Sequence, residues 1–317
     1  MTQTDTNIIL VTGGAGFIGS HLVEELVKKG HKVHVFDSLV KGKLSSIQYL
    51  IDEGKVEFIE GDIRNKDAVD EAMKGVDYVF HTAGIHIDKS VRSPDDCIST
   101  NIQGSYNVFH SALKHGVKRV IFSSSSSVYG DPRKLPMHED DQLYPAEPYG
   151  AGKLFCEHLL QHLAKKGLKY NSLRYFNVYG ERQAAHAYYT TVVTHFIKRI
   201  MNDEPPVIDG QGTQSMDFTS VSDVVRANIL AMESAAVNQE FNVGTGISTS
   251  IAQLADIIIR ALGKDLKPIF REREVFVSKR QAETSKAAQL LGFEAQVNVE
   301  EGIAEVAREI AAHPERY

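Results

Sequence analysis

Residues 8–20 read IILVTGGAGFIGS: an apolar, β-branched run breaks into glycines 13, 14, 16 and 19, and an amphipathic stretch opens at Ser20. A strand that feeds a glycine turn and then a helix is the local arrangement that binds a dinucleotide. Gly13 permits the tight turn, Gly16 lets the backbone approach a pyrophosphate, and Gly19 allows the helix to lie close to the strand. Phe17 and Ile18 lie in the same loop, before the helix that opens at Ser20, whose free N–H groups and positive dipole end face the phosphates. A glycine triplet alone is weak evidence, because ordinary turns also use glycine. Here the next strand-like run, Lys32–Asp37, ends in an acid where the motif needs one. Asp37 would accept hydrogen bonds from the adenosine 2′-OH and repel a 2′-phosphate, so NAD is expected rather than NADP.

Working outward, short β-branched runs alternate with amphipathic stretches as far as about Arg174. The runs are Ile8–Thr12, Lys32–Asp37, Val56–Glu60, Tyr78–His81, Arg119–Ser123 and Tyr170–Arg174. Helical patterns cover Ser20–Lys29, Lys66–Met73, Asp95–His115 and Tyr149–Lys166. This alternation predicts an α/β fold, a Rossmann-type doubly wound parallel sheet with helices on both faces. After Arg174 the rhythm changes. A helix near Ser222–Ser234 and a strand-like Phe241–Val243 return to the sheet, and Ile251–Leu262 and Glu300–Ile310 read as helices of a smaller C-terminal region. The expected division is residues 1–174, with a returning segment near 218–244, as the NAD-binding domain. Residues 175–217 and 245–317 would form a smaller α/β substrate-binding domain.

The chain of 317 residues is 42% hydrophobic and 24% charged, with a formal net charge of −6. That balance suits a soluble globular protein and argues against a nucleic-acid surface, which needs clustered Lys and Arg. Only Cys97 and Cys156 are present, so no disulfide framework is implied and a reducing cytoplasm is the expected setting. The polar start, Met1 to Asn7, lacks signal-peptide character, and no apolar run approaches the ~18–20 residues of a membrane span. His158 and His162 have metal-like i,i+4 spacing, but no third ligand accompanies them and no metal is expected. A helix face, at a subunit contact, is the better reading.

Five serines, Ser123 to Ser127, precede Val128-Tyr129-Gly130. Composition alone would make them a linker. They directly follow the strand Arg119–Phe122, however, where loops at strand carboxyl ends face the ligand crevice. Further on, Tyr149-Gly150-Ala151-Gly152-Lys153 sets a phenol and an ammonium four residues apart on one helix face. The Lys charge, with that of an oxidised nicotinamide, would lower the Tyr pKa from about 10 toward neutrality. A base poised near the working pH is what proton removal from a hydroxyl requires.

The spacing Gly-x-x-Gly-x-x-Gly resembles the short-chain dehydrogenase/reductases, particularly their extended, sugar-nucleotide branch. Asp62-Ile63 is similar to the pair that borders adenine there. His81-Thr82-Ala83-Gly84 resembles the His-x-Ala-Ala turn beside the cofactor, with Ala83 in register and Gly84 a small departure. Asn101 matches the Asn of the long fourth helix. The resemblance implies that Ser125, Tyr149 and Lys153 are catalytic, with Ser123 and Ser124 lining the nicotinamide pocket and Ser127 supporting the reacting oxygen. Sugar-nucleotide 4,6-dehydratases place an Asp-Glu pair where this chain has Ser126 and Ser127, so dehydration lacks its acid and base.

On the substrate side, Arg174-Tyr175-Phe176-Asn177-Val178-Tyr179-Gly180 resembles the branch's crossing segment, and Asn177 matches the residue that bonds a substrate diphosphate. Glu204 to Gly212 is similar to the strand and turn lining the nucleotide base, with Val207 within it. Met216-Asp217-Phe218 stands where the branch has Arg-Asp-Phe, so one phosphate-binding charge is missing and Met216 reads as a packing residue. Arg273 fits the second diphosphate arginine, with Arg271 and Arg280 as competitors. Ser90 and Arg92 lie in a segment that overhangs the sugar in relatives. The resemblance implies an NAD-dependent epimerisation of a nucleotide sugar, UDP-linked and of the UDP-hexose 4-epimerase type, in a homodimer built on helices Asp95–His115 and Tyr149–Lys166. A 4,6-dehydratase, a 4-keto reductase and a UDP-glucuronate decarboxylase share the fold. A non-catalytic NAD sensor would have no need of Ser125, Tyr149 and Lys153 together.

Overall fold

The computed structural model describes residues 6–183, 192–272 and 279–314. Its centre is a seven-stranded parallel sheet. The strands are β1 (Ile8–Thr12), β2 (Lys32–Asp37), β3 (Val56–Glu60), β4 (Tyr78–His81), β5 (Arg119–Ser125), β6 (Tyr170–Tyr175) and a late strand, Gln239–Val243, that returns to pair with β6. Read from that returning strand, the order across the sheet is β6, β5, β4, β1, β2, β3. Direction reverses between β1 and β4, which creates a crevice at the carboxyl ends of those two strands. The expected doubly wound sheet is therefore present, with β5 extending two residues further into the serine run than its apolar pattern indicates.

Helices cover both faces. On one side α1 (Phe17–Lys28) and Val221–Glu233 bury Leu22, Val23, Leu26, Val224 and Met232 against Val11, Val35 and Leu173. On the other, α2 (Lys66–Ala72), Ser105–Lys114 and Pro148–Ala164 bury Val69, Val108, Phe109 and Leu160 against Leu10, Val79 and Val120. The expected helix Asp95–His115 is interrupted: a short turn Pro94–Cys97 leads through a π-helical stretch, Ile98–Gly104, before regular winding resumes at Ser105. The segment expected to be a loop over the sugar is itself a helix, Ile87–Arg92.

A third apolar cluster lies beyond the sheet, where Val192–Met201, Ile251–Ala261 and Val299–Ala312 pack through Phe196, Ile197, Leu254, Ile258, Ile303 and Ile310. Their starts are well specified. Ser250 and Gln253 form a reciprocal capping box, and Asn298 accepts the N–H groups of Glu300 and Glu301. Met216 packs partly buried against this cluster, as a packing residue should.

Between β6 and the helix Pro148–Ala164 lies a buried ion pair that the sequence pattern does not announce. Arg174 meets Glu157 through Nε–Oε1 at 3.0 Å and Nη2–Oε2 at 2.8 Å, with side chains 4% and 1% exposed. The guanidinium also donates to Tyr129 Oη (2.9 Å) and to the Glu139 carbonyl (3.0 Å), so its donors are satisfied in the interior. Removing one member of such a pair leaves an uncompensated buried charge. Arg174→Met is therefore expected to lose about 3–5 kcal/mol of stability, read as a fall in the urea unfolding midpoint.

Candidate active site

The glycine loop fits a pyrophosphate on geometric grounds. Gly13 has φ +73°, and a Cβ there would meet the Ala83 nitrogen at 2.7 Å. A Cβ on Gly19 would stand 2.1 Å from the Gly13 carbonyl, so that glycine is required for α1 to leave β1 at this angle. Gly16 differs: its added Cβ would meet nothing nearer than the Gly13 carbonyl at 3.1 Å, leaving an open face in front of the helix. Gly16 is also the N-cap of α1, and no side chain caps the helix. The first N–H groups, from Phe17 onward, thus face an open cradle, which is the condition for an anion. Asp37 closes the loop from β2: it is 8% exposed, and its carboxylate accepts from Ala15 N at 3.0 Å and Leu39 N at 2.9 Å.

The other wall of the crevice follows β4. His81 is fully buried, with Nδ1 2.7 Å from Thr12 Oγ1 and Nε2 2.8 Å from Ser105 Oγ, and burial pulls its pKa down to about 3. Asn101 sits inside the π-helical stretch; its amide accepts from Ile85 N (2.8 Å) and donates to Ile85 O (3.1 Å), fixing the loop that carries Ala83. Ile63 is 5% exposed under Gly104, while the Asp62 carboxylate is held by Arg64 at 2.6 Å.

At the end of β5 the serine run meets the helix Pro148–Ala164. Ser125 hydrogen-bonds the Tyr149 phenol and accepts from Ser127 N at 3.1 Å. Ser123 Oγ lies 3.0 Å from Tyr175 Oη, and its carbonyl receives Lys153 Nζ at 2.7 Å. The three expected catalytic side chains are therefore together. Their electrostatics differ from expectation. Burial pushes the Tyr149 phenol up to about 12, against the Ser125 hydrogen bond, and burial pulls Lys153 down to about 8. The ammonium lies 5.6 Å from the Tyr149 ring centre and gives one of its hydrogens to the Ser123 carbonyl.

Other expected contacts fall elsewhere. Ser124, expected beside the nicotinamide, donates instead to Glu157 at 2.5 Å. Strand alternation turns it to the face opposite Ser123 and Ser125. Ser90 is fully buried and its hydroxyl donates to Ile87 O at 2.6 Å, within its own helix turn. Arg92 is 72% exposed and pairs loosely with Asp88 at 3.6 Å. His158 and His162 lie on the exposed face of their helix.

On the substrate side, Asn177 has φ +26°, an uncommon backbone for a residue with a Cβ and a frequent mark of a functional turn. Its amide donates to Asp217 O at 3.1 Å. Asp217 is itself fully buried and accepts from Thr245 N and Oγ1, Gly246 N and Ala282 N, tying three segments of chain at one carboxylate. Val207 opens a strand, Val207–Asp209, paired in parallel with Ile269–Arg271. Of the arginine candidates, Arg271 is bound to Asp209 at 2.6 Å, Arg280 donates to Ser126 Oγ at 3.0 Å, and Arg273 lies outside the described residues. Sequence reasoning missed Glu157 and Arg174, which brace the back of the serine strand, and Glu147, two residues before Tyr149. The signals were an acid in mid-helix and one at a helix entry, both too common to select.

Residues 9–244 match the model of the NAD dependent epimerase/dehydratase family. A UDP-glucose 4-epimerase of Mycolicibacterium smegmatis is 35% identical over 305 residues, covering 93% of this chain and 96% of that protein. The crystal structure of UDP-glucose 4-epimerase with UDP-glucose from Thermotoga maritima aligns with a TM-score of 0.91 at 37% identity, over 97% of this chain and 99% of that one. The Thermus thermophilus UDP-glucose 4-epimerase complex with NAD aligns at 0.86 and 31% identity, over 95% and 98%.

Because the face in front of Gly16 is open, Gly16→Val should leave the fold intact while filling the cradle. The expected result is far-UV circular dichroism close to that of the parent and loss of most of the NAD released from the purified protein on denaturation.

Proposed function

The chain belongs to the NAD dependent epimerase/dehydratase family, and from that premise we propose that it interconverts C4 epimers of a UDP-hexose. The observation that carries this reading is the Ser125–Tyr149–Lys153 group at the end of β5, followed by Ser126 and Ser127 where elimination of water would need an acid and a base. Tyr149 takes the proton of the sugar 4-hydroxyl while Ser125 holds that oxygen. NAD, when bound, would supply the hydride chemistry at sugar C4, and its oxidised ring would bring positive charge. With the phenol at about 12 in the protein's own field, that charge is what brings proton transfer into the neutral range. Lys153 orients the group through the Ser123 carbonyl, and the 4-keto sugar turns over before Tyr149 gives the proton back.

The site roles follow the sheet. Gly13, Gly16, Phe17, Ile18, Gly19, Asp37, Asp62, Ile63, Ala83, Asn101 and Ser123 would hold NAD; Ser127, Asn177, Val207 and Arg273 would hold the nucleotide sugar. The same reading divides the chain into a cofactor domain, residues 1–174 with the returning segment near 218–244, and a substrate domain of 175–217 and 245–317. Two free, buried cysteines fit a cytoplasmic enzyme, and no described helix is long and apolar enough to cross a membrane. Ile98, Tyr106 and Phe155, at 54%, 38% and 48% exposure on the two long helical segments, support a homodimer through those faces.

The test is incubation with a panel of sugar nucleotides, without added NAD, and NMR of the products. UDP-glucose and UDP-galactose should interconvert; stoichiometric demand for NADH, loss of water or release of CO2 would move the assignment to a reductase, a dehydratase or a decarboxylase. Tyr149→Phe should retain NAD and lose about 10²–10⁴-fold in turnover, and full activity would sink the mechanism. Phe155→Asp should shift the species seen by light scattering from dimer to monomer.

A further inference from the structure

Glu147 stands one residue before the helix that carries Tyr149 and Lys153, in an extended N-cap conformation (φ −139°, ψ 162°). Its carboxyl receives a hydrogen bond from Ser127, while its Oε1 is shut away from water and has no hydrogen-bond partner. Burial raises its pKa, and the facing charge of Arg280 opposes that rise. Arg280 is held over the same turn by its 3.0 Å bond to Ser126 Oγ. An acid and a base from distant parts of the chain thus bracket the Ser126–Ser127 turn, which immediately follows Ser125, and the acid stands two residues before Tyr149.

We propose that Glu147 is a positioning residue that sets the basicity of Tyr149, and that Arg280 governs how much negative charge Glu147 presents to it. The inference rests on Tyr149 being the proton acceptor. The groups facing the phenol are Ser125 from β5, Lys153 on its own helix, Cys97 from the turn before the π-helical stretch, Tyr175 from the end of β6, and Glu147. Burial raises both the Cys97 thiol and, to about 12, the Tyr175 phenol, so both stay neutral near pH 7. Among these groups Glu147 is left to supply negative charge, and a carboxylate there opposes formation of phenolate. This serves a reaction in which one side chain must take a proton and then return it. A phenol that ionised too readily would hold the sugar oxygen poorly in the return step, since proton transfer is fastest when donor and acceptor are matched.

The experiment is the pH dependence of kcat for UDP-glucose and UDP-galactose interconversion by the NAD-loaded enzyme. Glu147→Gln should move the acid limb down by about 0.5–1 pH unit, and in an Arg280→Met background, where loss of the counter-charge lets burial raise the Glu147 carboxyl further, the shift should shrink. A loss of packing or of the serine turn would lower kcat at every pH without moving the limb. In parallel, the tyrosinate absorbance of the holoenzyme minus that of Tyr149→Phe gives the phenol midpoint directly; it should fall in the same direction, with Glu147→Ser used if the Gln variant does not fold. A limb and a midpoint that stay in place, or move up, overturn the proposal. Full turnover in Tyr149→Phe would overturn the assigned reaction instead, and the absorbance midpoint would still report whether Glu147 acts on the phenol.

Discussion

His81 has both ring nitrogens engaged in the interior, and the partners fix which nitrogen carries the proton. The Ser105 hydroxyl donates its single hydrogen to the Asn101 carbonyl at 2.6 Å, so its oxygen accepts from His81 Nε2–H, and Nδ1 is left to accept from Thr12 Oγ1. A fully buried imidazole with this pattern is neutral, as its lowered pKa requires. The chain of bonds runs from the last residue of β1, across the end of β4, to the π-helical stretch, where Cys156 Sγ also donates to the Asn101 carbonyl at 3.1 Å. It crosses the place where strand order reverses. The glycine loop on one side and the helix Pro148–Ala164 on the other are therefore held by one polar relay across the crevice between them.

A second constraint acts behind β5. Because strand residues alternate, Ser123 and Ser125 face the crevice while Ser124 faces the buried Glu157–Arg174 pair. Ser125 is thus one residue away from the serine that meets a bidentate ion pair, which also reaches Tyr129. A run of small hydroxyls would be mobile if it were only a loop. Here it is three residues of strand followed by a 3₁₀ turn, Ser126–Tyr129, bonded on both faces. The rigidity needed to aim a base comes from the face of the strand that never meets substrate.

The cofactor half was legible because its signals are local. β-branched runs, the glycines at 13, 16 and 19, and the acid at 37 each report a backbone requirement within a few residues of themselves. Tyr149 and Lys153 were legible for the same reason, one helix turn apart. What was not legible is pairing at long range. Nothing near Glu157 indicates Arg174, and nothing near Ser126 indicates Arg280. The π-helical stretch also escaped, since a single widened turn shifts the polar and apolar pattern of Asp95–His115 by one residue without breaking it. The bond from Lys153 to the Ser123 carbonyl was hidden because spacing shows that two groups are neighbours, not where the ammonium's hydrogens go.

The sheet is finished late. β6 ends at Tyr175, but the strand that covers its outer edge is Gln239–Val243, and the intervening chain carries the helix Val192–Met201, whose partners in the third apolar cluster come later still. During synthesis β6 therefore emerges with a bare row of hydrogen-bonding groups and must wait for its neighbour. An uncovered parallel edge is a template for pairing with another chain, and long-range strand pairing is slow. For this molecule the hazardous interval is the stretch of translation between those two strands, when a nascent chain already shaped like a nucleotide-binding sheet has one open side.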